Sequence, residues 1–223
     1  FADIKGSMDI LESLDPEESK KLLDPCLQLM MDAVHRAEGT ISRVLGDGVM
    51  ALFGAPLALE DHPHRALYAA LRMQETVRRY ASALQEHHDI SLQNRVGINT
   101  GEVVVGAIGN DLFMEYTPVG HAVGLAARME TLAAPGSTLV TESTYRLTQH
   151  AFRFTPRGTV KVKGAKEALA VYELIGPEQS RSRLTARTVH ELAPFVGRSR
   201  DIEQLEGFAS RVATGQGHVV MLT

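Results

Sequence analysis

The chain has 223 residues, of which 44% are hydrophobic and 22% charged, which excludes a disordered or fibrous protein and leaves room for one full domain and part of a second. Its net charge of −4 lacks the basic excess that nucleic-acid backbones require, so we expect no nucleic-acid partner. The single cysteine favours a reducing compartment, the cytoplasm. No apolar run reaches the ~20 residues that span a bilayer, and we expect no membrane contact in this segment.

The first elements in chain order are a strand, a helix and a hairpin. Residues 1–4 are apolar with one acid and predict a strand that begins without an initiating methionine, as in a piece of a longer protein. Asp15 before Pro16 predicts a helix start with a capping carboxylate, and Pro25 predicts a break or kink in that helix. Residues 40–45 and 49–53 predict a hairpin whose tip carries Asp47 between two glycines.

A second group of elements follows this hairpin. Apolar residues at helical spacing predict a long amphipathic helix from Asp61. Residues 95–99 and 102–108 predict a second hairpin, and residues 122–132 a third helix. Because hairpins recur, the pattern favours an α+β, ferredoxin-like sandwich with a mainly antiparallel sheet and flanking helices over a doubly wound parallel sheet.

The composition changes near residue 176. Residues 177–194 are polar and lack periodicity, which predicts a linker after a first domain at residues 1–176. A new pattern starts at residue 195, with an amphipathic helix at 200–213 and an apolar strand at 219–222. We therefore expect residues 195–223 to begin a second domain that continues beyond this chain.

Two acids stand out in apolar or glycine-rich surroundings. Asp3 lies inside the first strand, where a carboxylate needs a cation or hydrogen bonds to offset its burial. Asp47 lies between Gly46 and Gly48, which leave room for a metal ion and phosphates. The alternative is structural, because Asp-Gly is a common turn dipeptide and Asp3 could have a local partner.

Several ordered segments then become recognisable together. They are FADIKGS at 1–7, RVLGDGVMALFG at 43–54, RVGI at 95–98, GEV at 101–103, EYTPVG at 115–120, LAARM at 125–129 and VKG at 162–164. In order and spacing these segments resemble the class III adenylyl/guanylyl cyclase catalytic domain across residues 1 to about 175. This resemblance favours the metal role for both acids over the structural one.

The resemblance implies a set of site residues and an activity. Asp3, Asp47 and the backbone of Ile4 would bind two Mg²⁺ or Mn²⁺ ions, and Arg128 would steady the reacting α-phosphate across a homodimer interface. The residues expected to approach the triphosphate of an ATP substrate are Gly6, Ser7, Met8 and Lys163, with Lys166 as a nearby substitute for the last. Such a domain converts the nucleoside triphosphate into a 3′,5′-cyclic nucleotide and pyrophosphate for intracellular signalling.

Three positions depart from the family pattern. Arg43 replaces the base-reading lysine of adenylyl cyclases or the glutamate of guanylyl cyclases, and with Thr117 it favours ATP over GTP, because a guanidinium offers no acceptor to guanine. Gly124 replaces an asparagine that orients the ribose, which predicts a slow enzyme. His121 replaces an acid at a helix start, where a solvated or capping role is commoner than a phosphate contact.

Two further features leave alternatives open. The Asp61-His62-Pro63-His64 segment has metal-ligand residue types but coincides with a helix start, so we favour capping. The segment from Phe195 resembles the entry into AAA-like or STAND-type ATPase modules, although no Gly-rich phosphate loop follows it here. The competing hypothesis to catalysis is therefore a degenerate cyclase domain that binds nucleotide or dimerises to regulate an attached ATPase-like module.

Overall fold

The computed structural model describes residues 1–7, 10, 12, 14–88, 90–110, 113–161, 168–178, 199–213 and 217. The chain divides into two compact units, Phe1–Gln179 and Ser180–Thr223. Nine strands and four helices belong to the described part of the first unit, and one helix to that of the second.

The helices are α1 (Pro16–Arg36), α2 (His62–His88), α3 (His121–Leu132), α4 (Glu142–Thr148) and α5 (Ser199–Ala213). The strands are β1 (Ala2–Lys5), β2 (Thr40–Leu45), β3 (Gly48–Leu52), β4 (Gln93–Ile98), β5 (Val104–Asn110), β6 (Phe113–Val119), β7 (Thr138–Thr141), β8 (Phe152–Val160) and β9 (Leu169–Pro177).

Seven strands form one sheet in the order β2-β3-β1-β4-β7-β9-β8, and β5 pairs with β6 in a separate two-stranded ribbon. Among the described strand pairs only β4 and β7 run parallel. The predicted α+β class with a mainly antiparallel sheet is therefore confirmed.

The main core lies between the sheet and two amphipathic helices. α1 and α2 each bury an apolar stripe against alternate residues of β1, β3 and β4, which are the inward positions of a strand. The principal contributors are Ile4, Met30, Val34, Val49, Leu67, Met73, Val77 and Val96. Because Ala2 and Ile4 point into this core, Asp3 between them points to the opposite face of the sheet.

Three local predictions were wrong. Residues 95–99 do not form a hairpin with residues 102–108, because β4 enters the middle of the sheet between β1 and β7 while β5 turns back onto β6. The break predicted at Pro25 is absent, because Pro25 lies inside α1. Asp15 occupies the N-cap position of α1, but its carboxylate makes no capping hydrogen bond.

The second unit contributes α5, in which Ile202, Leu205 and Val212 lie on one side of the helix at spacings of three and seven residues. The apolar strand expected at 219–222 lies outside the described residues, so the ATPase-like module stays a prediction. In the described parts of the chain, no helix combines the length and the apolar character that crossing a membrane requires.

Candidate active site

The two acids singled out from the sequence lie side by side at the end of β1. Asp3 pairs across the sheet with Gly48 of β3 on one side and Arg95 of β4 on the other. Asp47 occupies the turn between β2 and β3, and its backbone carbonyl accepts a hydrogen bond of 3.2 Å from the Ile4 amide. The hairpin therefore places its tip directly against the first strand.

Glycine is required on the strand next to this turn. A Cβ atom at Gly48 would lie 2.7 Å from the Ala2 carbonyl oxygen and 3.3 Å from Oδ1 of Asp3. Gly46 adopts a positive φ of 64°, a conformation that side chains disfavour, with open space around it. The two glycines thus allow Asp47 to approach β1 and leave its surroundings uncrowded.

The loop after β1 holds Asp47 from the other side. Ser7 is buried, and its hydroxyl donates to the Asp47 carboxylate and lies 3.0 Å from the Ile4 carbonyl oxygen. Gly6 just before it has a positive φ of 96° and bends the chain out of β1. Gly6 and Ser7 therefore lie beside the acid pair, as the resemblance implied, while Met8 lies outside the described residues.

Burial raises the pKa of Asp3, and the neighbouring Asp47 raises it further by its charge and by a hydrogen-bond contact between the two carboxyl groups. A hydrogen bond from the Arg95 guanidinium acts in the opposite direction and lowers the pKa. Two carboxyl groups in contact repel each other when both are ionised, unless a cation lies between or beside them. The pair therefore has the electrostatics of a cation site.

A divalent metal fits this donor set. Mg²⁺ in proteins is held by one or two carboxylates and completes its shell with water and substrate phosphates, so a two-acid site is sufficient. No cluster of three or more His, Cys, Asp or Glu side chains suited to a metal occurs in the part of the chain that is described. Asp3 and Asp47 would hold the metal. The Ile4 carbonyl, also predicted as a ligand, is the oxygen next to the Ser7 hydroxyl.

Arg95 is a site residue that the sequence pattern indicated only as part of a strand and a motif. Its guanidinium Nη2 donates to Oδ2 of Asp3 at 2.6 Å and lies 2.9 Å from Oε1 of Glu130 on α3. The acids are 92 and 35 positions away along the chain, so only the tertiary fold reveals this contact. The available signal was that Arg95 is the one charged residue of β4.

Helix α3 presents its other predicted residues to the outside. Gly124 and Arg128 are exposed and lie four positions apart, one turn of the helix. A Cβ atom at Gly124 would meet no atom within 4 Å. His121 is exposed at the first position of α3. This face of α3 is open in the single chain.

The proposed base-reading residues occupy neighbouring strands. Arg43 is exposed on β2 beside an irregularity in the pairing with β3, and β2 contacts β6, the strand that carries Thr117 opposite Gly106. Lys163 and Lys166, the expected phosphate-binding lysines, lie outside the described residues.

The chain belongs to the adenylate and guanylate cyclase catalytic domain family, whose model matches residues 1–176. It is therefore a class III nucleotidyl cyclase domain. Proteins of this class make cyclic nucleotides from nucleoside triphosphates with metal ions and act as dimers, and the fold and the acid pair agree with that class.

The similar proteins include both adenylyl and guanylyl cyclases. The chain is 34% identical over 178 residues to adenylate cyclase 1 of Rhizobium meliloti, an alignment covering 79% of this chain and 27% of the relative. Among solved structures, it resembles the adenylyl cyclase CyaB of P. aeruginosa with a TM-score of 0.73 and 28% identity, over 80% of this chain and 92% of that one. It resembles the guanylyl cyclase Cya2 equally well, with a TM-score of 0.74 and 31% identity, over 81% and 92% of the two chains.

The matched region spans about a quarter of the Rhizobium enzyme, 27% of its length. The likeness therefore concerns the cyclase domain.

Proposed function

We propose that this chain is an adenylyl cyclase that converts ATP into 3′,5′-cyclic AMP and pyrophosphate at composite sites of a homodimer, for intracellular signalling. The observation that carries the proposal is the contact between Asp3 and Asp47 at the end of β1 in a chain of this family. The direct test is cyclic AMP formation from ATP by the purified chain with Mg²⁺ or Mn²⁺, and its loss when the metal is chelated. Cyclic AMP that forms equally well in excess chelator contradicts the proposal.

The chain's own residues would bind and orient the substrate. Asp3 and Asp47 would hold two Mg²⁺ or Mn²⁺ ions, while Ser7 fixes the Asp47 carboxylate and Arg95 that of Asp3. When bound, the metal ions supply charge neutralisation on the phosphates and activation of the 3′-hydroxyl. Arg128 adds a fixed cation for the charge that builds on the α-phosphate as the 3′-oxygen attacks in line and pyrophosphate departs. The backbone at Gly6, Ser7 and Met8 and the side chain of Lys163 hold the remaining phosphates.

Base selection would depend on Arg43 and Thr117. A guanidinium donates five N–H groups and accepts none, so it suits the ring nitrogens of adenine and opposes the N1–H and amino group of guanine. We expect ATP to be used with a kcat/KM at least about tenfold higher than that for GTP, measured with each nucleotide alone. The variant Arg43→Glu supplies acceptors and should narrow or reverse the ratio. A wild-type preference for GTP contradicts this assignment of the base pocket.

A second candidate function is supported by Gly124. This exposed position lacks any side chain that could orient a ribose, which favours a catalytically weak domain that binds nucleotide or dimerises to regulate an attached ATPase-like module. The rate of cyclic AMP formation by a variant at position 124 distinguishes the two functions.

The variant Gly124→Asn should raise the rate of cyclic AMP formation by up to ~10²-fold, the lower end of the ~10²–10³ that one transition-state donor is typically worth. The open space around Gly124 means that the new side chain meets no clash within the chain, and asparagine is no worse than glycine in a helix. Gly124→Ala is the matched control, since it adds a Cβ without a donor and should leave the rate unchanged. Equal rates for the Asn and Ala variants, both at background, would favour the regulatory function.

A further inference from the structure

We infer that Glu130 is a positioning residue of this cyclase: through Arg95 it sets the position of the metal-binding carboxylate of Asp3. The inference rests on the proposed function and adds a residue that is linked to the acid pair through Arg95. It follows from one bridge between strand β4 and helix α3.

The bridge runs through a single guanidinium nitrogen. Arg95 Nη2 lies 2.6 Å from Oδ2 of Asp3 and 2.9 Å from Oε1 of Glu130. The three side chains are only 27%, 23% and 14% exposed for Asp3, Arg95 and Glu130, so solvent screens the pairing less than it screens surface ion pairs. The contact with Asp3 is a charge-assisted hydrogen bond, which is stronger than a neutral one, and the contact with Glu130 is an ion pair.

The backbone brings Glu130 to this place. Gly97 shares a face of β4 with Arg95, and a Cβ atom there would lie 1.9 Å from the Glu130 amide nitrogen and 2.4 Å from the Ala126 carbonyl oxygen. Glycine at this position therefore lets α3 lie directly on the strand. At the start of the helix the Asn99 side chain donates to the Ala122 carbonyl at 3.0 Å, which fixes the other end of the same contact.

Glu130 sets what Arg95 can do to Asp3. With both acids present, the guanidinium is held between them and its charge is divided. Without the Glu130 carboxylate, Arg95 would keep Asp3 as its remaining acid partner in this bridge and would compete more strongly with a metal ion for the same carboxylate oxygens. Loss of Glu130 should therefore weaken metal binding at Asp3, to which Arg95 links it.

The test measures Mn²⁺ binding, not only turnover. We expect Glu130→Gln in the full 223-residue chain to raise the Kd for Mn²⁺ about tenfold in the presence of 3′-deoxy-ATP, followed by the electron paramagnetic resonance signal of free Mn²⁺. Glu142→Gln is the matched control, because Glu142 also pairs with an arginine, Arg146, but on the surface of α4, and its loss should leave Mn²⁺ binding unchanged. Glu130→Asp keeps the charge but shortens the side chain, and should give an intermediate Kd even if the Gln variant folds poorly.

A double-mutant cycle separates positioning through Arg95 from a direct effect of charge. If Glu130 acts through Arg95, then Glu130→Gln should change the Kd less than about threefold in an Arg95→Gln background. Equal effects of Glu130→Gln in both backgrounds, or an unchanged Kd in the single variant, would overturn the inference. Absence of Mn²⁺ binding by the wild-type chain would instead overturn the acid-pair assignment itself, and the role of Glu130 with it.

Discussion

Replacing Asp47 by asparagine should lower cyclic AMP formation by about 10³-fold or more while the chain stays folded. The amide keeps the shape of the carboxylate and can still accept the hydrogen bond from Ser7, so the turn between β2 and β3 should survive. It removes the charge that would hold a divalent metal, a contribution of several kcal/mol, and each 1.36 kcal/mol is a factor of ten in rate. The measurement is turnover at saturating Mn²⁺ and ATP, with circular dichroism as the check of folding.

Asp24→Asn provides the matched control for this experiment. Asp24 is an exposed acid on α1, away from the sheet, and its replacement makes the same change in net charge. We expect its turnover to equal that of the wild type. If Asp47→Asn retains turnover within a few-fold of the control, Asp47 has only the turn role that its Gly-Asp-Gly setting also allows.

The sequence was informative about this acid pair because local rules apply to each half of it. Glycines on both sides of Asp47 predicted a tight hairpin tip, and the place of Asp3 inside an apolar strand predicted that its carboxylate needs a cation or hydrogen bonds, which Arg95 supplies. The hairpin of β2 and β3 is confirmed, and its tip lies against β1. The pairing of β1 with β3 brings the two acids together. The family resemblance predicted that they share a site, and no local rule did.

The bridge from Asp3 to Glu130 could not be predicted in the same way. Arg95 lies in a strand whose neighbours are β1 and β7, and nothing in its local sequence selects those two strands. The predicted second hairpin failed for the same reason: Thr100 and Gly101 have turn chemistry, but the parallel pairing of β4 with β7 determines where the strand lies. Contacts at large separation along the chain follow from the packing of the whole domain.

The bridge through Glu130 also fixes the direction in which Arg128 leaves helix α3. Glu130 faces its own sheet, whereas Arg128, two residues earlier, lies about 200° around the helix from it and is exposed. The orientation that joins Glu130 to the local acid pair therefore turns Arg128 away from that pair. A second protomer is the natural source of the acid pair that Arg128 would serve, which agrees with a class of enzymes that act as dimers.

Mixing two inactive variants should then restore activity. Asp47→Asn damages the acid pair of one protomer, and Arg128→Ala removes the cation that its partner's site needs. A heterodimer of the two regains one intact site from the Asp47 of one chain and the Arg128 of the other. At equal concentrations half of the dimers are mixed and one of their two sites is whole. We therefore expect about one quarter of wild-type activity, roughly 25-fold or more above either variant alone.

The size of this restoration distinguishes composite sites from self-contained ones. If each protomer used its own Arg128, the mixture would show only the average of two inactive proteins, whatever the ratio of the variants. Composite sites instead give activity that varies with that ratio and is greatest at equal amounts, because the fraction of heterodimers is greatest there. A third variant carrying both substitutions on one chain is the control, since its heterodimer with the wild type has no intact composite site, whereas self-contained sites would leave one intact. A mixture that stays inactive, although both variants dimerise by sedimentation, contradicts the composite arrangement.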